Sequence, residues 1–91
     1  MSKNIMKKVR DFIERDIRDI DPKARYCLSY ESLNCGNGHY TMFFQHKDRA
    51  DSVVVTNVND SEFDTYRVIG HDSWVVRLVN EWFERELNKT A

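Results

Sequence analysis

Chain breakers are scarce in this sequence. One proline and three glycines among 91 residues exclude a disordered or low-complexity chain. Cysteine is nearly as rare: Cys27 and Cys35 are the only two, too few for the disulfide framework of a small secreted domain. No apolar run approaches the roughly 18 residues of a membrane-crossing helix, and the N-terminus lacks the apolar stretch of a secretory signal. The expectation is a cytoplasmic protein with reduced thiols. Neither sign of charge prevails. Fourteen basic and fifteen acidic side chains leave a net charge of −1, so no general attraction to nucleic acid or membrane exists. Motifs are missing too: no phosphate-binding loop, dinucleotide fingerprint, zinc-protease helix or nucleophile elbow.

What is present is a globular composition, 41% hydrophobic and 32% charged. It fits a single compact domain over residues 1–91, a length that buries roughly 60–65% of the unfolded surface. Residues 1–25 carry eight basic and five acidic side chains, and residues 26–91 carry six and ten. One end is mildly basic and the remainder mildly acidic.

Residues 3–20 read as an amphipathic helix with Ser2 as its N-cap. Ile5, Met6, Val9, Phe12, Ile13, Ile17 and Ile20 recur at helical spacing and fill an arc of roughly 140°. Asp16 falls inside that arc, and pairs such as Lys7–Asp11 and Arg10–Glu14 lace the other side. Asp21-Pro22 ends the helix, because the residue before proline is pushed out of the α region. Residues 24–33 and 39–47 alternate with period two and read as strands, joined across Asn34-Cys35-Gly36-Asn37-Gly38. A three-residue loop with Gly38 left-handed pairs Cys35 with His39. It sets Tyr30 against Phe44 and Leu28 against His46 on one apolar face. Glu31, Ser29, Thr41, Phe43 and Gln45 then share the other face.

Ser52–Val58 is β-branched and reads as an internal third strand. Residues 63–69 are favoured as a fourth over a short helix. Asp72 or Ser73 caps a second helix over 73–88, whose apolar residues spread over roughly 220°, about twice what one-sided packing needs. The fold class expected is α+β, with an antiparallel three- to four-stranded sheet flanked by N- and C-terminal helices in the order α-β-β-β-(β)-α. Both helices lie on one sheet face in the simplest packing.

Several residue groups invite chemistry and have plainer explanations. Cys27, Cys35, His39, His46 and His71 include zinc-ligand types, but a structural site needs four converging ligands and parity sends Cys27 and His46 to opposite faces. His71-Asp72-Ser73 has the letters of a catalytic triad, yet adjacent residues cannot converge as one, and helix capping accounts for them. Asp16 has no second carboxylate placed beside it for acid–base work. No catalytic residue, metal site or cofactor is therefore expected.

Two features favour binding. Asp48 and Asp51 lie in one connection, and Asp60, Glu62 and Asp64 in or beside the next. They are solubility devices or an acidic rim for a basic partner surface. The wide arc of the last helix leaves either Trp74 or the Val76/Phe83/Leu87 flank uncovered, unless the helix wedges between sheet and first helix. Trp and Phe are frequent interface anchors. The element order resembles, in outline, the double-stranded RNA-binding domain. That resemblance implies recognition of RNA shape, but His71-Asp72-Ser73-Trp74 stands where the family has its basic cluster.

The reading that follows is a small non-enzymatic inhibitor or binding module that sterically occludes a larger protein. Immunity proteins, antitoxins and phage or mobile-element anti-defence proteins, anti-CRISPR proteins among them, share this profile. Trp74, Phe83, Val76 and the acidic loops would form its contact surface, and the last helix is a candidate homodimer contact. A nucleic-acid binder using the basic helix and Phe43, and a small enzyme with an unrecognised site, are the alternatives.

Overall fold

Ile5, Val9, Ile13 and Ile17 recur every four residues and all four are buried. In a regular α-helix that spacing drifts about 40° per step, so a uniform helix would carry the series off the core. The chain corrects the drift in the middle. The computed structural model, which describes residues 2–34, 38–59 and 65–90, has an α-helix α1 over Ser2–Asp11, a π-helical turn over Phe12–Asp16 and a last turn α2 over Ile17–Ile20. The Ile17 N–H bonds to the Phe12 carbonyl, five residues back. The wider turn keeps Phe12, Ile13 and Ile17 inside. It leaves Asp16 exposed and Ile20 at 61% exposure, so Ile20 leaves the stripe the sequence assigned it. Of the expected intrahelical ion pairs, Arg10–Glu14 is formed, at 3.0 Å.

Four strands follow: β1 (Tyr26–Asn34), β2 (His39–His46), β3 (Ser52–Val58) and β4 (Arg67–Gly70). They form one antiparallel sheet in the order β1-β2-β3-β4. The C-terminal helix α3 spans Ser73–Thr90. The α+β order expected from the sequence is thus observed, with the favoured fourth strand present. Asp72 caps α3: its carboxylate accepts the Val75 N–H at 3.3 Å and its carbonyl accepts the Val76 N–H. None of the described helices is long and apolar enough to cross a membrane.

One register expectation fails. Leu28 pairs with Phe44 and Tyr30 with Phe43, and the last pair before the turn is Asn34–His39. An extra residue at Ser29 makes a bulge, which switches the parity of β1 partway along. Its cause is tertiary. β1 is an edge strand, and the Leu28 N–H points to the Glu14 carboxylate of the π-turn, which accepts it at 2.7 Å. A charged acceptor on an edge N–H anchors helix to strand at that point. Beyond the bulge Glu31 pairs with Met42 and Leu33 with Tyr40, so Glu31 turns to the helix side and Tyr30 to the outer side, the reverse of the sequence expectation. Gly38 does adopt the left-handed conformation assigned to it, with φ of 71°. A second bulge lies in β3 opposite Thr41, where Asn57 is left-handed at φ 61°, a conformation asparagine tolerates better than most residues.

Both helices cover one face of the sheet. Tyr26, Met42, Phe44, Val53, Val55 and Val58 point into the core beneath them. The wide apolar arc of α3 is explained by two contacts at once, with the sheet and with the first helix. Trp82 stacks on Phe12 at 5.7 Å, and Phe83 stacks on Tyr66 at 4.2 Å. Glu86 lies within the arc and is 8% exposed. It is tied to Lys89 at 2.9 Å and to Lys8 of α1 at 3.5 Å. Burial alone would raise its pKa, but the two ammonium groups outweigh burial and hold it below the ordinary glutamate value. Its charged form is therefore favoured by folding. That stability is present above the ordinary glutamate range and is lost as pH falls through the lowered folded value. Glu86→Gln should cost about 1 kcal/mol near neutral pH. The gap to the parent should close on acidification, as read from urea midpoints between about pH 6 and 3.

Candidate binding surface

The two faces of the sheet differ in kind. On the side away from the helices the register lines up Tyr30 of β1, Phe43 of β2, Val54 of β3 and Ile69 of β4 as successive cross-strand neighbours. They form one apolar row across all four strands, roughly 14 Å long at the usual interstrand spacing. Its ends are the most open, Tyr30 at 61% and Ile69 at 54% exposure, while Phe43 and Val54 are half-buried between their neighbours.

Polar side chains flank the row. On one side Ser32 pairs with Thr41, and Thr56 with Arg67. The Thr41 and Thr56 hydroxyls share a hydrogen bond of 2.9 Å, which joins the two pairs. On the other side Cys27, Gln45 and Ser52 lie in line. The Gln45 amide donates to the Asp51 and Arg49 carbonyls at 3.1 and 3.3 Å, so it is committed to the β2–β3 loop. Arg67 is the one charged side chain in these three rows. An apolar centre with a polar rim that carries a single charge is the anatomy of a protein interface.

The residues singled out from the sequence are placed differently. Phe83 is fully buried and is a core residue, not a surface anchor. Trp74 is half-buried and packs against the core. Val76 is half-buried and closes on β4, where a Cβ added to Gly70 would meet its Cγ2 at 3.2 Å. Asp48 lies 3.6 Å from an Arg25 guanidinium nitrogen, and Asp51 lies 3.1 Å from Arg49 Nε. Both carboxylates of that loop face arginines, which cancels the rim charge expected there. Asp60, Glu62 and Asp64 lie outside the described residues, as do Cys35, Gly36 and Asn37.

That end of the sheet is instead a structural lock. The Asp72 carboxylate that caps α3 also lies 3.5 Å from the Arg49 guanidinium and accepts the Tyr26 hydroxyl at 3.4 Å. Burial, then the Asp72 charge, raises the Tyr26 pKa against the opposing pull of Arg49. Tyr26 is thus held as a neutral donor, with its ring edge-on to His46 at 4.9 Å. His46 is 4% exposed. Its Nδ1 accepts the Asp48 N–H at 3.0 Å, which leaves Nε2–H to donate to the Lys23 carbonyl at 2.7 Å. The Arg25 N–H lies 3.4 Å from Nε2 and closer, 3.0 Å, to that same carbonyl. Every polar atom of the ring is used in holding two loops together. Cys27, half-buried and free, lies on the outer face, opposite in sense to His46. Among the described residues no group of three or more His, Cys, Asp or Glu side chains could hold a metal ion.

The outer row was missed by sequence reasoning because Tyr30 was counted on the wrong face. Phe43 alone was recognised there. The alternation of Val54 and Ile69 against β2 held the remaining signal, once β4 is known to pair with β3. Fold and surface together define a class: an α+β domain with both helices on one sheet face and the other face open and apolar at its centre. No family model, curated protein or solved structure matches the chain.

Proposed function

We propose that the protein is a non-enzymatic binding module that docks a larger protein on the outer sheet face and acts by covering that partner's surface. The observation that carries this reading is the Tyr30–Phe43–Val54–Ile69 row. Large apolar side chains more than half exposed at both ends of a row, on a rigid sheet, are costly to leave in water and well suited to anchor a partner. The partner surface that fits is itself apolar at its centre, with a carboxylate or carbonyl acceptor for Arg67. The aromatic pair Tyr30–Phe43 would also suit base stacking. A nucleic-acid groove needs several unopposed cations beside its aromatics, however, and these rows supply Arg67 alone.

The experiment is affinity capture from the lysate of the native host, with and without nuclease, using the parent and the double variant Tyr30→Lys/Ile69→Lys. Both side chains are exposed, so the variant should fold with a melting temperature within a few degrees of the parent. Each removed anchor should weaken binding by about 2 kcal/mol, so the pair should lose affinity by a factor of roughly 1,000. Equal capture by parent and variant would reject the outer face as the contact. Capture that disappears with nuclease would replace the protein partner by nucleic acid.

A further inference from the structure

The two edges of the sheet are treated differently. At β1 the Glu14 carboxylate takes the outward Leu28 N–H. At the other edge, β4 is four residues long, and alternate residues turn their N–H and C=O away from β3. Among the described residues no side chain serves them. At the Gly70 end of this edge an open groove of about 700 Å³ runs along α3. Its floor is tight: a Cβ on Gly70 would lie 2.9 Å from the Ser52 carbonyl and 3.2 Å from Val76. Its helical wall carries Arg77, Glu81, Glu84 and Arg85, all exposed. Glu84 accepts the Tyr66 hydroxyl at 3.1 Å. Arg77, Glu81 and Arg85 make no ion pair among the described residues, although Arg77–Glu81 and Glu81–Arg85 are spaced four apart.

We infer that this groove and edge dock a second copy of the same chain. The argument is charge complementarity. Two cations and two anions sit on one short helical wall with no net sign. A strongly acidic or basic partner would meet repulsion from half of them, and a nucleic acid would meet two carboxylates. A copy related by a two-fold axis meets the same wall reversed. With the axis near Asn80, Arg77 of each chain faces Glu81 and Glu84 of the other. Such an isologous contact also lets β4 pair antiparallel with its counterpart and continue the sheet to eight strands. Helices of both copies then lie on the same side, α3 against α3, and the outer apolar row continues through Ile69 into the second copy. Edge and groove adjoin the outer face at Ile69, but the two contacts use different atoms, and failure of the dimer would leave the outer-face proposal standing.

Sedimentation equilibrium from about 10 µM to 1 mM tests it, a range suited to a contact at the small end of interface sizes. The parent should show a concentration-dependent monomer–dimer equilibrium. Arg77→Glu alone, and Glu81→Arg/Glu84→Arg alone, should each raise the dissociation constant at least tenfold. Mixing the two variants should restore a 1:1 heterodimer, since both halves of the contact are then complementary again. A parent that stays monomeric over the whole range overturns the inference. So do variants that dimerise as the parent does, or a mixture that fails to pair.

Discussion

Phe83→Ala should lower the unfolding free energy by about 3–5 kcal/mol, the usual cost of emptying a buried phenylalanine site. Its ring is stacked at 8° on Tyr66 and set edge-on to Trp82 at 5.0 Å, so truncation removes two aromatic contacts as well as buried area. Collapse into the void is restricted, because Trp82 is also held against Phe12 of the first helix. A loss of this size in a small domain corresponds to a drop in melting temperature of roughly 15–30 °C. The measurement is a urea or thermal unfolding curve beside Trp74→Ala. Trp74 is half-buried at the start of the helix, and its replacement should cost less. A loss below about 1 kcal/mol at Phe83, accompanied by loss of partner capture, would return this residue to the surface role its place on the helix first suggested.

The same contacts explain why the helix has an apolar arc wider than one-sided packing needs. It forms the third side of a wedge. Val75, Val79 and Phe83 meet the sheet side of the core, Trp82 meets the first helix, and Glu86 reaches Lys8 across the join. The arc is filled by the protein itself, which removes the strongest sequence argument for docking through Trp74 and Phe83. The unspent apolar surface lies instead on the sheet. The contact surface of the proposed binding module therefore lies on the strands and not on the helix.

Local rules were legible where the decision is local. Asp21-Pro22 ends the first helix, Asp72 opens the last one, Gly38 takes the left-handed position, and alternation placed the strands. What failed was decided by partners far along the chain. No local feature of Tyr26–Asn34 asks for a bulge at Ser29. Glu14, fourteen residues before Leu28, supplies the acceptor at the edge where β1 shifts register. A one-residue shift then reverses Tyr30 and Glu31, and with Tyr30 the β1 end of the outer row. The acidic loop was misjudged for a related reason. Asp48 and Asp51 lie three apart in one loop, but Arg25, at the head of β1, and Arg49, between them in the sequence, are what they meet in space. The drift of an every-fourth-residue stripe in the first helix was visible in the spacing, and the π-turn is its physical resolution.

His46 carries the last expected result. His46→Leu keeps much of the ring's volume and removes both of its hydrogen-bonding atoms. The Asp48 N–H and the Lys23 carbonyl then remain in a site only 4% exposed. Each unsatisfied buried group costs about 1–3 kcal/mol, and the edge-on contact with Tyr26 is lost as well, so a total of about 3–4 kcal/mol is expected. Two milder variants separate these contributions. Asparagine places an acceptor near the Nδ1 position and should retain the bond from Asp48. Glutamine reaches the Nε2 position and should retain the bond to Lys23. Each should recover roughly 1 kcal/mol relative to leucine, as measured by urea midpoints at neutral pH. Leucine equal to the parent would mean that the loops before β1 and after β2 are held by other contacts. The Arg25–Asp48 pair, at 3.6 Å and largely exposed, is too weak to hold them alone. The chain therefore closes this end of the sheet with a buried histidine bonded to both loops at its centre, and the opposite face of the same sheet is the one proposed to meet a partner.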